Sequence, residues 1–258
     1  MASNEGVVVI TGGVSGIGLA LTRGLLETGC KVLALDVTPD GVAAARRSLA
    51  DFADHLQVEA ADVTDEARIE ALIGACDRQF GPICGLINSA GIAREIPCLD
   101  TDVATFRKIL DVNVIGSFIT SKAVARRMRT RSRGAIVNIT SVSGLRGNYG
   151  RVAYGSSKGA IVTMTQVMAV ELARVGIRVN AIAPGPIDTP LTKAVHTAAT
   201  RKNWVAAVPL RRYGEPEELL GTAQWLLDDT RSGYVTGQVI AVDGGFTAMG
   251  LAFSDAAH

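Results

Sequence analysis

The chain has 258 residues, 48% hydrophobic and 20% charged, and its 26 Lys and Arg against 25 Asp and Glu leave a formal charge of +1. That length suits one large α/β domain with a sizeable core, and near-neutrality without a run of like charge excludes the footprint of a nucleic-acid-binding protein. Cys30, Cys76, Cys84 and Cys98 are scattered without a CxxC pair and the three His are far apart, so neither a metal site nor a disulfide framework is expected.

The polar segment 1–5 runs straight into an apolar stretch and does not read as a signal peptide. No apolar run is long enough to span a bilayer, so no membrane association and a cytoplasmic setting are expected. Short apolar runs predict strands at 7–11, 31–36, 57–60, 83–88, 135–140, 177–182 and 239–242. Most are continuously apolar, as parallel strands buried on both faces are. Helices are predicted at 16–28, 41–50, 65–79, 102–129, 153–175 and 215–227. Thr64-Asp65 and Glu215-Pro216-Glu217 are helix starts with acidic first turns. Regular β-α-β alternation implies right-handed crossovers and a single-domain α/β fold, a doubly wound parallel sheet of about seven strands with helices on both faces. The rhythm breaks between Pro184 and Tyr213. Residues 186–213 carry Pro, Trp204 and weak helical patterning, and are expected to form a substrate lid beyond the strand C-termini.

The segment Thr11-Gly12-Gly13-Val14-Ser15-Gly16-Ile17-Gly18 lies between the first strand and the first helix. Gly12, Gly16 and Gly18 would let the backbone approach a pyrophosphate, and the helix start offers free N–H groups and the positive end of its dipole. Asp36 ends the second strand, about twenty residues on, where a carboxylate accepts the ribose hydroxyls of an adenosine and repels a 2′-phosphate. No Arg or Lys adjoins it, and the residue before Gly16 is Ser15 rather than a base, so NAD is expected over NADP. Asp62-Val63 after the third strand, and Asn88, Ala90 and Gly91 after the fourth, would flank adenine and the next ribose.

Tyr154 and Lys158 stand one helical turn apart. An ammonium there would favour the phenolate, lower the phenol from its usual pKa of about 10, and make Tyr154 a general acid/base. Ser141 could donate to a carbonyl or alkoxide oxygen, and Asn113 could hold a water that relays protons to Lys158. Candidate substrate-facing residues beyond the strand ends are Arg94, Glu95, Ser143, Leu145, Arg146, Tyr149 and, in the lid, Trp204. Arg94 or Arg146 could pair with a substrate anion.

In order and spacing, Thr11 to Gly18, Asp62, Asn88 to Gly91, Asn113, Ser141, Tyr154, Lys158, Pro184-Gly185 with Thr189, and Asp243-Gly-Gly245 resemble the short-chain dehydrogenase/reductase family in its compact branch. The resemblance covers nearly the whole chain. It implies a Rossmann-type fold and a catalytic tetrad of Asn113, Ser141, Tyr154 and Lys158. It also implies that Lys158 binds the nicotinamide ribose, that Pro184 and Gly185 border the cofactor, and that Ile187 and Thr189 contact the carboxamide. Ser89 departs from the pattern, since the family usually has a second Asn there. The implied reaction is hydride transfer between nicotinamide and a secondary alcohol of polyol, sugar or cyclic type, with a small-molecule alcohol or ketone as the only substrate partner. The alternative is an NADPH-dependent reductase of 3-oxoacyl thioesters, against which Asp36 argues. A homotetramer is implied as well, with residues 246–258 either reaching a neighbouring subunit or fraying.

Overall fold

The structure, a computed structural model that describes residues 6–250, is organised on a seven-stranded sheet of order β3-β2-β1-β4-β5-β6-β7. The strands are β1 (Val7–Thr11), β2 (Lys31–Asp36), β3 (Leu56–Ala60), β4 (Ile83–Asn88), β5 (Gly134–Ile139), β6 (Ile177–Pro184) and β7 (Val239–Val242), and all neighbours pair in parallel. All of β1 and β6 is buried, which explains why these runs read as continuously apolar.

Alternate side chains of β1 feed two cores. Val8 and Ile10 join the cluster that includes Leu21 and Leu25 of α1 (Gly16–Glu27), Val42 of α2 (Pro39–Ser48) and Leu226 of α9 (Leu220–Leu227). Val7 and Val9 join the opposite cluster, with Ile69 and Ile73 of α3 (Glu66–Gln79), Val124 of α5 (Gly116–Arg129) and Ala169 of α6 (Val152–Leu172). A sheet packed on both faces has its free space only at the strand ends. The strand order reverses about β1, between β2 and β4, so a crevice opens beyond their C-termini.

Besides the helix expected over 215–227, which opens as a 3-10 turn at Pro216–Leu219, three elements near the crevice depart from the sequence reading. The helix expected over 102–129 is two, α4 (Val103–Leu110) and α5, joined by a π-turn at Asp111–Ile115 that widens the helix around Asn113. The helix expected over 153–175 closes in a 3-10 turn, and Gly176 at φ 71° provides the left-handed exit. The sixth strand runs two residues beyond the expected 182, to Pro184, and so carries Gly185 to the crevice.

The 186–213 segment holds two short helices, α7 (Pro190–Val195) and α8 (Ala198–Ala207), capped by Thr189 and Thr197. Asp188 N donates to the Gly214 carbonyl and Gly214 N to that of Pro186, so the base of the segment is clasped to the body. Among the described residues, no helix is long and apolar enough to cross a membrane. The segment 1–5 and the last part of the expected tail, 251–258, lie outside the described residues.

Candidate active site

A groove of about 430 Å³ runs along the crevice, bordered by Gly12, Ser15, Gly16 and Ile17 at one end and by Ser141, Tyr154 and Lys158 at the other. Asp36, Asp62, Val63, Ala90, Gly91, Pro184, Gly185, Ile187 and Thr189 line it too, so most residues assigned to a cofactor from the sequence meet in one place.

The glycine turn is shaped by close approach. A Cβ on Gly12 would lie 2.9 Å from the Ala90 Cα, and one on Gly18 would lie 2.0 Å from the Gly12 carbonyl oxygen. Gly16 adopts φ +49°, a conformation L side chains rarely take. Ser15, at the start of α1, makes no side-chain capping bond, which leaves the first-turn N–H groups for a ligand. Gly18 and Asn88 do not reach the groove. Gly18 lets the helix start against the strand turn, and Asn88 is turned into the core, where its Nδ2 donates to Ser121 Oγ at 2.8 Å and Asn138 Oδ1 at 2.9 Å. The Asn88 side chain forms a buried joint between β4 and β5. The Thr11 hydroxyl holds the loop above it by accepting from Ser89 N at 3.2 Å and Ala90 N at 3.1 Å, so the Ser89 departure costs no backbone anchor.

Asp36 and Asp62 end β2 and follow β3 with the same local device. Each accepts on Oδ1 from the backbone and hydroxyl of a Thr two residues on, Thr38 at 3.0 and 2.8 Å and Thr64 at 2.9 and 2.7 Å. The turn therefore fixes each carboxylate while using only one of its oxygens. The Thr64 bonds hold the Asp62 carboxyl below its ordinary pKa.

At the other end, Ser141 follows β5 and Tyr154 stands in the first turn of α6. Ser141 and Tyr154 border both the groove and the smaller cavity beside it, and Ser141 Oγ accepts from Ser143 N at 3.1 Å. Lys158 is 5% exposed, and its Nζ donates to the Ile139 carbonyl at 2.8 Å and lies 5.7 Å from the centre of the Tyr154 ring. The expected lowering of the phenol by Lys158 is not what this geometry gives. Burial raises the Tyr154 pKa, opposed by the Ser141 hydroxyl and by the Arg151 charge, while burial pushes Lys158 down to about 8. Asn113 is fully buried and does not border the groove. Its Oδ1 accepts from Ile92 N at 2.8 Å, and its Nδ2 donates to the Ile92 carbonyl at 3.0 Å and to Ser157 Oγ at 2.9 Å. Its side chain thus clamps the Gly91–Ile92 loop to α6, and a relayed water would be left with the main chain.

A second, smaller cavity of about 60 Å³ meets the groove over Ser141 and Tyr154. Ser143 and Trp204 border it, as expected of substrate-facing residues. Arg94, Arg146 and Tyr149 do not. Arg94 is exposed, Arg146 donates to the Thr247 carbonyl at 3.1 Å, and Tyr149 is 82% exposed on the outer loop. Sequence reasoning missed Arg151 and His196, which do border the cavity. Arg151 Nη2 contacts His196 Nε2 at 2.6 Å and Glu95 Oε2 at 3.2 Å, and His196 Nδ1 meets the Tyr213 hydroxyl at 2.9 Å. Arg151 lies three residues before Tyr154, so helical spacing could have placed it beside the site, but no residue type there distinguishes it from a surface Arg.

The residues present fit a dinucleotide: free N–H groups over a cradle that a Cβ would fill, a carboxylate with one oxygen unengaged, and a continuous groove from these to the Tyr154 hydroxyl.

Comparisons with known proteins point the same way. A family described as Enoyl-(Acyl carrier protein) reductase matches residues 12–247. The chain is similar to levodione reductase of Leifsonia aquatica, 37% identical over 252 residues and 94% of each chain. It is equally similar to cis-4-hydroxycyclohexanecarboxylate dehydrogenase of Sinomonas cyclohexanicum, 37% identical over 246 residues, 95% of this chain and 98% of that one. Among solved structures, an NAD+-bound xylitol dehydrogenase superposes with a TM-score of 0.87 at 33% identity, covering 93% of this chain and 98% of the other.

Proposed function

Because this chain belongs to the short-chain dehydrogenase/reductase family and is an oxidoreductase of secondary alcohols and ketones, we propose that it works with NAD and that Tyr154 is its general acid/base. The supporting observation is the convergence of Ser141, Tyr154 and Lys158 where the groove meets the small cavity. When bound, the nicotinamide supplies or accepts the hydride.

The chain's own residues do the rest. A carbinol oxygen in the small cavity would meet the Tyr154 and Ser141 hydroxyls together. In oxidation the phenolate takes the hydroxyl proton, and in reduction the phenol returns it. Ser141 donates to the oxygen as charge grows on it, a contribution worth about 10²-fold in rate. Lys158 holds its charge behind the ring and binds the nicotinamide ribose. Asn113 keeps the loop between β4 and α4 in register with α6. The Asp36 carboxylate accepts the adenosine ribose hydroxyls and repels a 2′-phosphate. The 186–213 segment closes the substrate end through Trp204 and His196. A reductase of 3-oxoacyl thioesters would work with NADPH, against which the Asp36 carboxylate argues.

Free Cys30, Cys76, Cys84 and Cys98 suit a reducing cytoplasm, and exposed Phe118 on α5 with exposed Val167 and Val170 on α6 supply apolar faces for a homotetramer. Reduced-nicotinamide absorbance tests the reading. A panel of polyols, cyclic alcohols, hydroxy acids and ketones with NAD+, NADH and their phosphorylated forms is expected to give turnover with the unphosphorylated pair. Silence across the panel would refute it.

A further inference from the structure

We propose that Arg151 is the anion-recognition residue of the substrate cavity, and that the alcohol or ketone turned over carries a carboxylate a few bonds from its reacting carbon. The inference rests on the oxidoreductase reading above and names its substrate class.

Arg151 is 7% exposed. A guanidinium withdrawn from water so far must find compensation. Its partner Glu95 gives only part of it. The Glu95 side chain is 24% exposed, contacts only Nη2, and divides its charge with the Thr200 hydroxyl at 3.1 Å. The cation is the inner member of the pair. Arg151 is among the residues that border the cavity and Glu95 is not.

No acid among the residues that border the cavity offsets that charge. Among the described residues bordering the cavity, Arg151 is the one that carries a charge at pH 7. His196 receives the Nη2 donor and turns its other nitrogen to Tyr213. Burial and the neighbouring Arg151 push it down to about 4, so it stays neutral. Asp188, an acid of the lid, is engaged by Arg201 at 3.2 Å and Lys193 at 3.6 Å. At the other end of the fork, Nη1 has only a 3.4 Å contact to the Arg94 carbonyl. With Nη2 engaged by Glu95 and His196, the Nη1 end is the part of the fork left to donate to a carboxylate oxygen.

The geometry also limits the skeleton. The Arg151 guanidinium carbon lies 5.7 Å from the centre of the Tyr154 ring, and the apolar lining of the same cavity includes Ala93, Val142, Pro186, Val195 and Trp204. A short apolar chain or small ring, with an oxygen at Tyr154 and a carboxylate at Arg151, fills a space of about 60 Å³. The backbone fixes Arg151 on both sides: Ile96 N donates to the Gly150 carbonyl at 2.9 Å, and Gly155 N to that of Arg151 at 2.6 Å.

The test compares 3-hydroxybutyrate with its size-matched amide, in full-length wild type and in Arg151→Gln and Arg151→Lys, alongside neutral cyclic alcohols. The expected result is a kcat/KM for the acid at least about 30-fold above the amide, set mainly by KM. In Arg151→Gln the acid should lose about 10²-fold while the amide moves less than threefold, and Arg151→Lys should recover part of the loss. Equal turnover of acid and amide in wild type, or an equal fall for both in Arg151→Gln and Arg151→Lys, would overturn the inference. Turnover of neutral alcohols with rejection of the acid would overturn it and leave the oxidoreductase reading standing. If neither panel is turned over, that reading fails on its own, and quenching of Trp204 fluorescence by butyrate decides the anion site. Saturable quenching in wild type that Arg151→Gln abolishes supports it; no quenching refutes it.

Discussion

The Lys158 ammonium lies 5.7 Å from the centre of the Tyr154 ring, and its resolved hydrogen bond goes to the Ile139 carbonyl at 2.8 Å, not to the phenol. The phenol is therefore governed first by burial, which raises its pKa. Only the phenolate can take a proton, so alcohol oxidation should rise with pH, about tenfold per unit, across the range below that raised pKa. Ketone reduction needs the phenol and should fall where oxidation rises. Paired pH profiles of kcat/KM in the two directions check this, and a flat oxidation profile from pH 6 to 9 would contradict it.

The same burial makes Lys158 costly. Its folded-state pKa is about 8 against 10.5, so the unfolded chain binds more protons between those values. The folded state should gain stability as pH rises through that window, and it carries the desolvation cost at pH 7. Lys158→Met is expected to raise stability at pH 7 by about 1–3 kcal/mol and to remove the pH-dependent gain, while turnover is lost. Denaturant unfolding at pH 7 and pH 10 measures both effects.

Asp36 uses Oδ1 for the Thr38 turn, so removing its carboxylate disturbs a local loop as well as the cofactor preference. Asp36→Ala should cut the ratio of kcat/KM for NAD+ over NADP+ by at least about tenfold, because the repulsion of a 2′-phosphate goes with the charge. Steady-state kinetics with both cofactors measures the ratio. No change in it would move cofactor choice elsewhere.

Asn88 is 2% exposed and joins Ser121 and Asn138 inside the sheet. Asn88→Ala should cost about 1–3 kcal/mol through the groups left unpaired, with a fall in Tm of several degrees. Its KM for the cofactor should stay within about threefold of wild type. Thermal unfolding and kinetics together separate this buried role from a ligand contact.

How much of this was legible in the sequence follows from what each residue type reports. Parallel strands are buried on both faces, so apolar runs located all of them to within two residues, and the Gly-rich turn and Tyr154-Gly-Ser-Ser-Lys158 placed both ends of the groove. The π-turn escaped because its one requirement, a buried amide at Asn113 bonded to Ile92 across the loop, is a tertiary contact that periodicity does not carry. The substrate wall escaped for a similar reason. Arg94 and Arg146 were as plausible as Arg151 by type and place, and only the tertiary bridge that pairs Ile96 with Arg151 sets Arg151 beside the cavity.

The most direct measurement is single-site. Tyr154→Phe keeps the ring that lines the groove and removes only the oxygen that titrates. Its kcat for the best alcohol should fall by at least about 10³-fold. Its affinity for NADH, read by nucleotide fluorescence, should stay within about twofold of wild type. A variant that binds NADH normally and turns over within tenfold of wild type would show that the proton passes through some other group.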